Sequence, residues 1–205
     1  MSKVDENEQN LTEDRAQTVN NARNLGFLAA ICMSLTILSS YIVVFSPQFQ
    51  DRNHWVLGSI GTIACFYAAF KALQPLCETN LVRPFHASWI FWIVMVATAY
   101  FKERFYSAEF MLIFFTLFTL SAISWTILNF RLARVTQNPL FKIYAYMFIL
   151  SVLSGYVAVF AKAQIGSALH WANILITATS QGLLVGVWYD VETWMMFKFG
   201  YKMRE

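Results

Sequence analysis

The chain has 205 residues, 58% of them hydrophobic and only 13% charged, with 15 Lys and Arg against 12 Asp and Glu for a net charge of +3. A water-soluble domain carries about 25% charged residues, so most of this surface cannot face water. No basic domain or Gly-rich phosphate loop is present, which argues against a nucleic-acid or nucleotide partner.

Residues 1–24 read as a polar cytoplasmic tail, disordered or a short helix on the membrane surface. A first apolar run follows over 25–45 and stops at Ser46-Pro47. A second covers 55–73 and ends before Pro75, and a polar loop over 74–84 follows. The third, 85–101, is the shortest, and Lys102-Glu103-Arg104 closes it. The fourth, 110–130, is rich in Phe and Leu; Arg131, Arg134 and Pro139 mark the next loop. The fifth covers 143–161, and 162–167 is a tight turn. The sixth covers 168–189. In the tail 190–205, Trp194, Met195, Met196 and Phe197 beside Lys198 and Lys202 suggest an interfacial helix.

Each run is long enough to cross a bilayer as a helix, which takes about 20 residues. Lipid offers backbone groups no hydrogen-bond partner, so only helices and closed barrels can span it. These runs are continuously apolar rather than alternating, which rules out barrel strands. The expectation is an all-α, polytopic membrane bundle of about six transmembrane helices, with residues 25–189 as the membrane domain. No cleavable leader is evident, so the first run is read as an uncleaved span.

Lys and Arg flanking spans favour the cytoplasmic side. With both termini inside, that side holds Lys3, Arg15, Arg23, Lys71, Arg83, Arg131, Arg134, Lys142, Lys198, Lys202 and Arg204. The other side holds Arg52, Lys102, Arg104 and Lys162. The bias predicts cytoplasmic termini in a multi-pass protein of the cell membrane, with short loops and no disulfide pattern pointing to the bacterial inner membrane.

The octets ending the first and fifth spans, Leu38 to Phe45 and Leu153 to Phe160, share the pattern Leu-Ser-x-Tyr-x-x-Val-Phe. His54-Trp55 and His170-Trp171 follow at similar distances, and Tyr100 takes the matching place in the third span. This suggests three tandem helical hairpins, an arrangement common in transport folds, although apolar segments also share letters easily.

Charges inside a membrane mark ion and proton pathways. None of the Asp, Glu, Lys or Arg residues falls at an expected midplane, which counts against a proton-coupled pump. The sixth span is the most polar, and Asn173, Thr177, Ser180 and Gln181 form a candidate polar path along it. The same residues can instead tie helices together by hydrogen bonds. Small residues at helical spacing form two candidate packing faces, Gly58 and Gly61 on the second span and Ala178, Gly182 and Gly186 on the sixth. They would admit another helix, within the bundle or from a partner.

Cys32, Cys65 and Cys77 form no CxxC pair and read as apolar fillers. His54 and His170 fall on the outer side and His86 on the other, too few together for zinc. No paired histidines suit a haem, so no cofactor or metal is expected. HExxH and a Gly-flanked serine nucleophile are absent; Ser121 and Ser124 lie in Leu-Ser-Ala-Ile-Ser-Trp. Catalysis has no motif to support it.

Two functional readings remain. The first is a non-enzymatic membrane subunit that packs through its small-residue faces against a membrane-protein partner or itself. The second is a facilitator or channel for a small neutral or weakly polar solute, with the sixth span lining the path.

Overall fold

The computed structural model describes residues 3–45, 53–77, 79–101, 108–162, 164 and 166–191, with side chains for 13–39, 58–77, 79–95, 111–162, 164 and 166–191. Six α-helices account for almost all of them: α1 (Lys3–Phe45), α2 (Asn53–Leu73), α3 (Val82–Phe101), α4 (Ala108–Thr136), α5 (Leu140–Phe160) and α6 (Ala168–Tyr189). No strand occurs among the described residues.

The helices close into a ring. α1 pairs with α2, α3 with α4 and α5 with α6, so each hairpin is a packed unit. α1 also packs on α6 and α4 on α5, while α2 and α3 touch least. α1 therefore sits between α2 and α6, and the two small-residue faces do not meet.

The exterior is apolar, unlike that of a water-soluble bundle. Large hydrophobic side chains are exposed on every helix, including Leu35, Ile60, Ile90, Leu112, Leu153 and Leu175. Serines, threonines and amides are buried, among them Ser34, Thr62, Ser88, Ser121, Asn129 and Gln181. A continuous apolar exterior of this kind is a liability in water and an asset in lipid. Segments 13–39 of α1, 111–136 of α4 and the whole of α5 are long and apolar enough to cross a membrane. α6 is not among them, because the polar side chains that lower its hydropathy belong to the interior of the ring.

The packed core occupies one end. It gathers Phe66, Phe70 and Leu73 late in α2, Phe85 early in α3, Leu128 and Leu132 late in α4, Phe141 and Tyr144 early in α5, and Leu184 and Trp188 late in α6. Trp188 is its hub, with ring centroids 5.9 Å from Phe66, 5.8 Å from Phe70 and 5.8 Å from Phe141. Phe70 reaches Phe85 across α2 and α3 at 5.0 Å. Such offset and tilted ring pairs add to simple burial.

Connections at this end are short and pinned. Gln74 opens a turn through Pro75; its Oε1 accepts from Leu81 N at 2.9 Å and its Nε2 donates to Thr79 O at 3.4 Å. Asn80 Oδ1 accepts from Arg83 N at 2.9 Å as α3 starts, as an N-terminal cap should. The Asn80 carbonyl accepts from Arg131 at 2.7 Å, tying α4 to the loop. Gln137 takes a left-handed conformation (φ 58°) just after α4, a common way to stop a helix. Asn138 Oδ1 then accepts from Leu140 N at 2.9 Å.

Several boundaries differ from the sequence reading: α2, α3 and α4 start two or three residues early, at Asn53, Val82 and Ala108. Residues 3–24 continue α1 without a break rather than forming a separate tail segment. No Gly or Pro interrupts them, the early Asp and Glu suit a helix N-terminus, and Val19 and Ala22 bury against the core. α4 runs on to Thr136 through Arg131 and Arg134, expected in a loop; Leu132, Ala133 and Val135 face inward while Arg134 faces out. α5 begins at Leu140, directly after Pro139. The expected interfacial segment around Trp194 and the side chains of Tyr41, His54, Trp55 and Tyr100 lie outside the described residues.

Candidate functional site

At the end opposite the aromatic core the ring stays open around a cavity of about 750 Å³. All six helices line it. Its floor is set where the core begins, at Gln181 of α6, Thr62 of α2, Ser88 of α3 and Trp125 of α4. His170 and Lys162 line it towards the α5–α6 turn. That turn carries Gly166 at φ 83° and ends at Ser167, whose Oγ caps α6 by accepting from His170 N at 3.3 Å.

The two halves of the ring differ in chemistry. α1, α2 and α6 contribute Thr36, Ser59, Thr62, Asn173, Thr177 and Gln181 beside Met33 and Ile37. α3 and α4 contribute mainly large apolar and aromatic side chains, Trp89, Trp92, Met95, Phe114, Phe115, Phe118 and Trp125, with Ser88 and Ser121 near the floor. α5 is mixed, with Ser151 and Tyr156 beside Phe148 and Val152. No Asp or Glu lines the cavity among the described residues.

Most of these polar groups also stitch the ring. Ser151 and Thr177 share a hydrogen bond at 2.8 Å, and Ser154 donates to Asn173 Oδ1 at 2.8 Å, joining α5 to α6. Ser34 Oγ lies 3.4 Å from both the carbonyl and the Oε1 of Gln181, joining α1 to α6. Ser88 and Ser121 each donate to the other's carbonyl, at 3.1 and 2.9 Å, joining α3 to α4. The Tyr156 hydroxyl meets Thr119 Oγ1 at 2.5 Å, and Trp125 Nε1 donates to Tyr144 at 2.8 Å, joining α4 to α5. Other hydroxyls turn back on their own helix: Thr36 donates to Cys32 O and Thr62 to Gly58 O, both at 2.8 Å. That leaves their oxygen lone pairs for the interior.

Three of the four residues of the expected polar path, Asn173, Thr177 and Gln181, line the cavity. The fourth, Ser180, lies one step round α6, fully buried, and its Oγ has no partner among the described residues. Gln181 is 2% exposed, and its Oε1 faces Ser34. Its side chain lines the cavity.

The small residues divide. A Cβ at Gly58 would lie 2.5 Å from Thr36 Oγ1, so this glycine sits at the tight α1–α2 crossing. A Cβ at Gly61, Gly182 or Gly186 would meet nothing within 4 Å. Gly182 and Gly186 are exposed and Ala178 is half-buried, on the outward side of α6 near Leu175 and Tyr189. The closest glycine contact is one the small-residue pattern passes over, Gly26 of α1 against the Trp188 ring.

His86 stacks on Tyr67 at 5.5 Å at the core end, far along the bundle from His170. Among the described residues no three His, Cys, Asp or Glu side chains converge as a metal site. Cys32, Cys65 and Cys77 are free thiols, each half-buried.

The aromatic wall was not legible beforehand. Trp89 and Trp92 on α3 and Trp125 on α4 stand away from span ends, where Trp usually gathers. That displacement is the one signal that could have singled them out. Comparison with protein-family models, with curated proteins and with solved structures finds no match to this chain.

Proposed function

We propose that the protein is a multi-pass membrane facilitator that takes a small neutral or weakly polar solute into the cavity between its six helices. The observation that carries this reading is the cavity itself: about 750 Å³, lined by every helix, with Asn173, Thr177 and Gln181 on its wall. Binding sites for small molecules are typically concave spaces of about 300–1,000 Å³, mostly apolar with a few placed polar groups. Absence of a lining carboxylate argues for an uncharged solute, since a bare cation would find no counter-charge.

In this reading all six helices span. Exposed Leu, Ile or Val on each of them supports it. Lys71, Arg83, Arg134 and Lys142 lie at the core end. By the positive-inside rule that end faces the cytoplasm, and the cavity opens away from it. A bacterial inner membrane suits this orientation. The aromatic core around Trp188 is then the closed gate, and crossing requires it to part.

Proteoliposome flux tests the reading. Neutral alcohols and amides of graded size should equilibrate faster than in empty vesicles, and Asn173→Leu with Gln181→Leu should abolish the gain. Equal rates with and without protein for every solute would refute it.

A second reading, a subunit of a membrane assembly, is favoured by Gly182 and Gly186, which face open space on the outer side of α6. Small-xxx-small faces admit a second helix closely. Native mass spectrometry from mild detergent tests this; a bare monomer in every detergent would count against it.

A further inference from the structure

We infer that the cavity binds a neutral, planar aromatic molecule carrying a group that both accepts and donates a hydrogen bond, such as a primary amide or a phenol. This rests on the reading of the cavity as a solute site and specifies its ligand.

The two-sided lining sets the class. One arc of the ring, α3 and α4, presents the indoles of Trp89, Trp92 and Trp125 and the ring of Phe118. Trp89 and Trp92 stand edge to face at 5.1 Å and 74°. Aromatic walls reward a flat aromatic body beyond the area it buries. A flexible aliphatic chain would gain only area and would lose rotamer freedom on binding.

The other arc sets the polar group. Gln181, 2% exposed, lines the cavity with its amide, and Trp89 Nε1 on the cavity wall is a buried donor with no acceptor among the described residues. A buried donor without a partner costs free energy until a ligand acceptor meets it. Thr36 and Thr62 have committed their protons to Cys32 O and Gly58 O, so their oxygens can only accept. A ligand group with one acceptor and one donor satisfies both kinds of site.

Charge is disfavoured in either sign. No Asp or Glu lines the cavity among the described residues, and Lys162 lies towards its mouth, so a cation meets repulsion and no counter-ion. An anion would have to leave water for an aromatic wall with no cation beside the Gln181 floor.

The test uses the full chain in lipid nanodiscs and three probes of one shape: 2-naphthamide, naphthalene and a 2-naphthyl-trimethylammonium ion. Tryptophan fluorescence and calorimetry read binding. 2-Naphthamide should bind saturably and at least tenfold more tightly than the other two, and Gln181→Leu should weaken it about tenfold, the usual worth of one such hydrogen bond. Should Gln181→Leu fail to fold, Thr62→Val and the contrast between naphthamide and naphthalene decide. Equal binding of naphthalene and naphthamide, tightest binding of the ammonium ion, or no saturable binding of any probe would each overturn the proposal. Naphthamide binding without flux of any solute would leave the ligand class standing and remove the facilitator reading. Flux of alcohols and amides without naphthamide binding would do the reverse.

Discussion

The six-membered ring of Trp188 occupies the space that a side chain on Gly26 would need. The two residues lie on α6 and α1, and their contact lets the largest fully buried side chain enter the core. A glycine in a helix costs up to about 1 kcal/mol relative to alanine. Here the closer approach of α1 and α6 offsets it.

Glycine substitutions should therefore differ in sign by position. Gly26→Ala forces Trp188 to move and should lower stability by about 1–3 kcal/mol, the usual cost of overpacking. Gly58→Ala should cost less, because only Thr36 Oγ1 must rotate away from its bond to Cys32. Gly182→Ala and Gly186→Ala meet open space and should raise stability by a few tenths up to about 1 kcal/mol through helix propensity. Unfolding in detergent, read by a thiol-reactive dye on the three half-buried cysteines, orders the series. Gly26→Ala with Trp188→Phe should recover part of the loss, and strict additivity would show that the two residues do not interact.

The Trp125–Tyr144 hydrogen bond, 2.8 Å long, joins α4 to α5 at the junction of core and cavity. Tyr144 is fully buried. Tyr144→Phe strands the indole donor and should cost about 1–3 kcal/mol. Removing both partners with Trp125→Phe and Tyr144→Phe should cost less than the sum of the single changes. A double-mutant cycle on unfolding midpoints measures this, and a coupling near zero would contradict it.

Ser88 and Ser121 exchange hydroxyl-to-carbonyl bonds across α3 and α4. Such bonds in membranes are worth about 0.6 kcal/mol on average. Each Ser→Ala change should cost about that much. Ser88→Leu or Ser121→Leu should cost several times more, because both residues are buried where the helices come close. A Leu variant as stable as the Ala variant would show that the crossing is loose.

Gln137 holds φ at 58° after α4, a conformation that disfavours a side chain. It is exposed, so little packing is at stake. Gln137→Gly should raise stability by up to about 1 kcal/mol, and Gln137→Val should lower it. Thermal melts of the two variants check the opposite signs.

How much of this was legible beforehand varies with the physics involved. The helices announced themselves, because apolar runs flanked by Pro75 and Pro139 leave few alternatives for a backbone that must bond within itself. Composition marks the stretch before Leu25 as polar and leaves it disordered or helical; that it is helix, with Val19 and Ala22 buried, depends on partners far along the chain. Along α6 the polar letters were visible, but the angular difference between Ser180, buried away from the cavity, and Gln181, turned into it, was not.

By itself, then, the chain's order of residues settled local matters: where backbone can run as helix, where it must turn, and how much of its surface is too apolar for water. Those follow from forces within a few residues along the chain. Tertiary structure alone decided that Trp89 and Trp92 face inward while Leu175 faces out, that Gly26 rather than Gly182 takes the closest contact, and that the six helices leave a chamber at the end away from Trp188. Each depends on which distant side chain arrives opposite, and in a uniformly apolar helix periodicity carries no mark of the inward face.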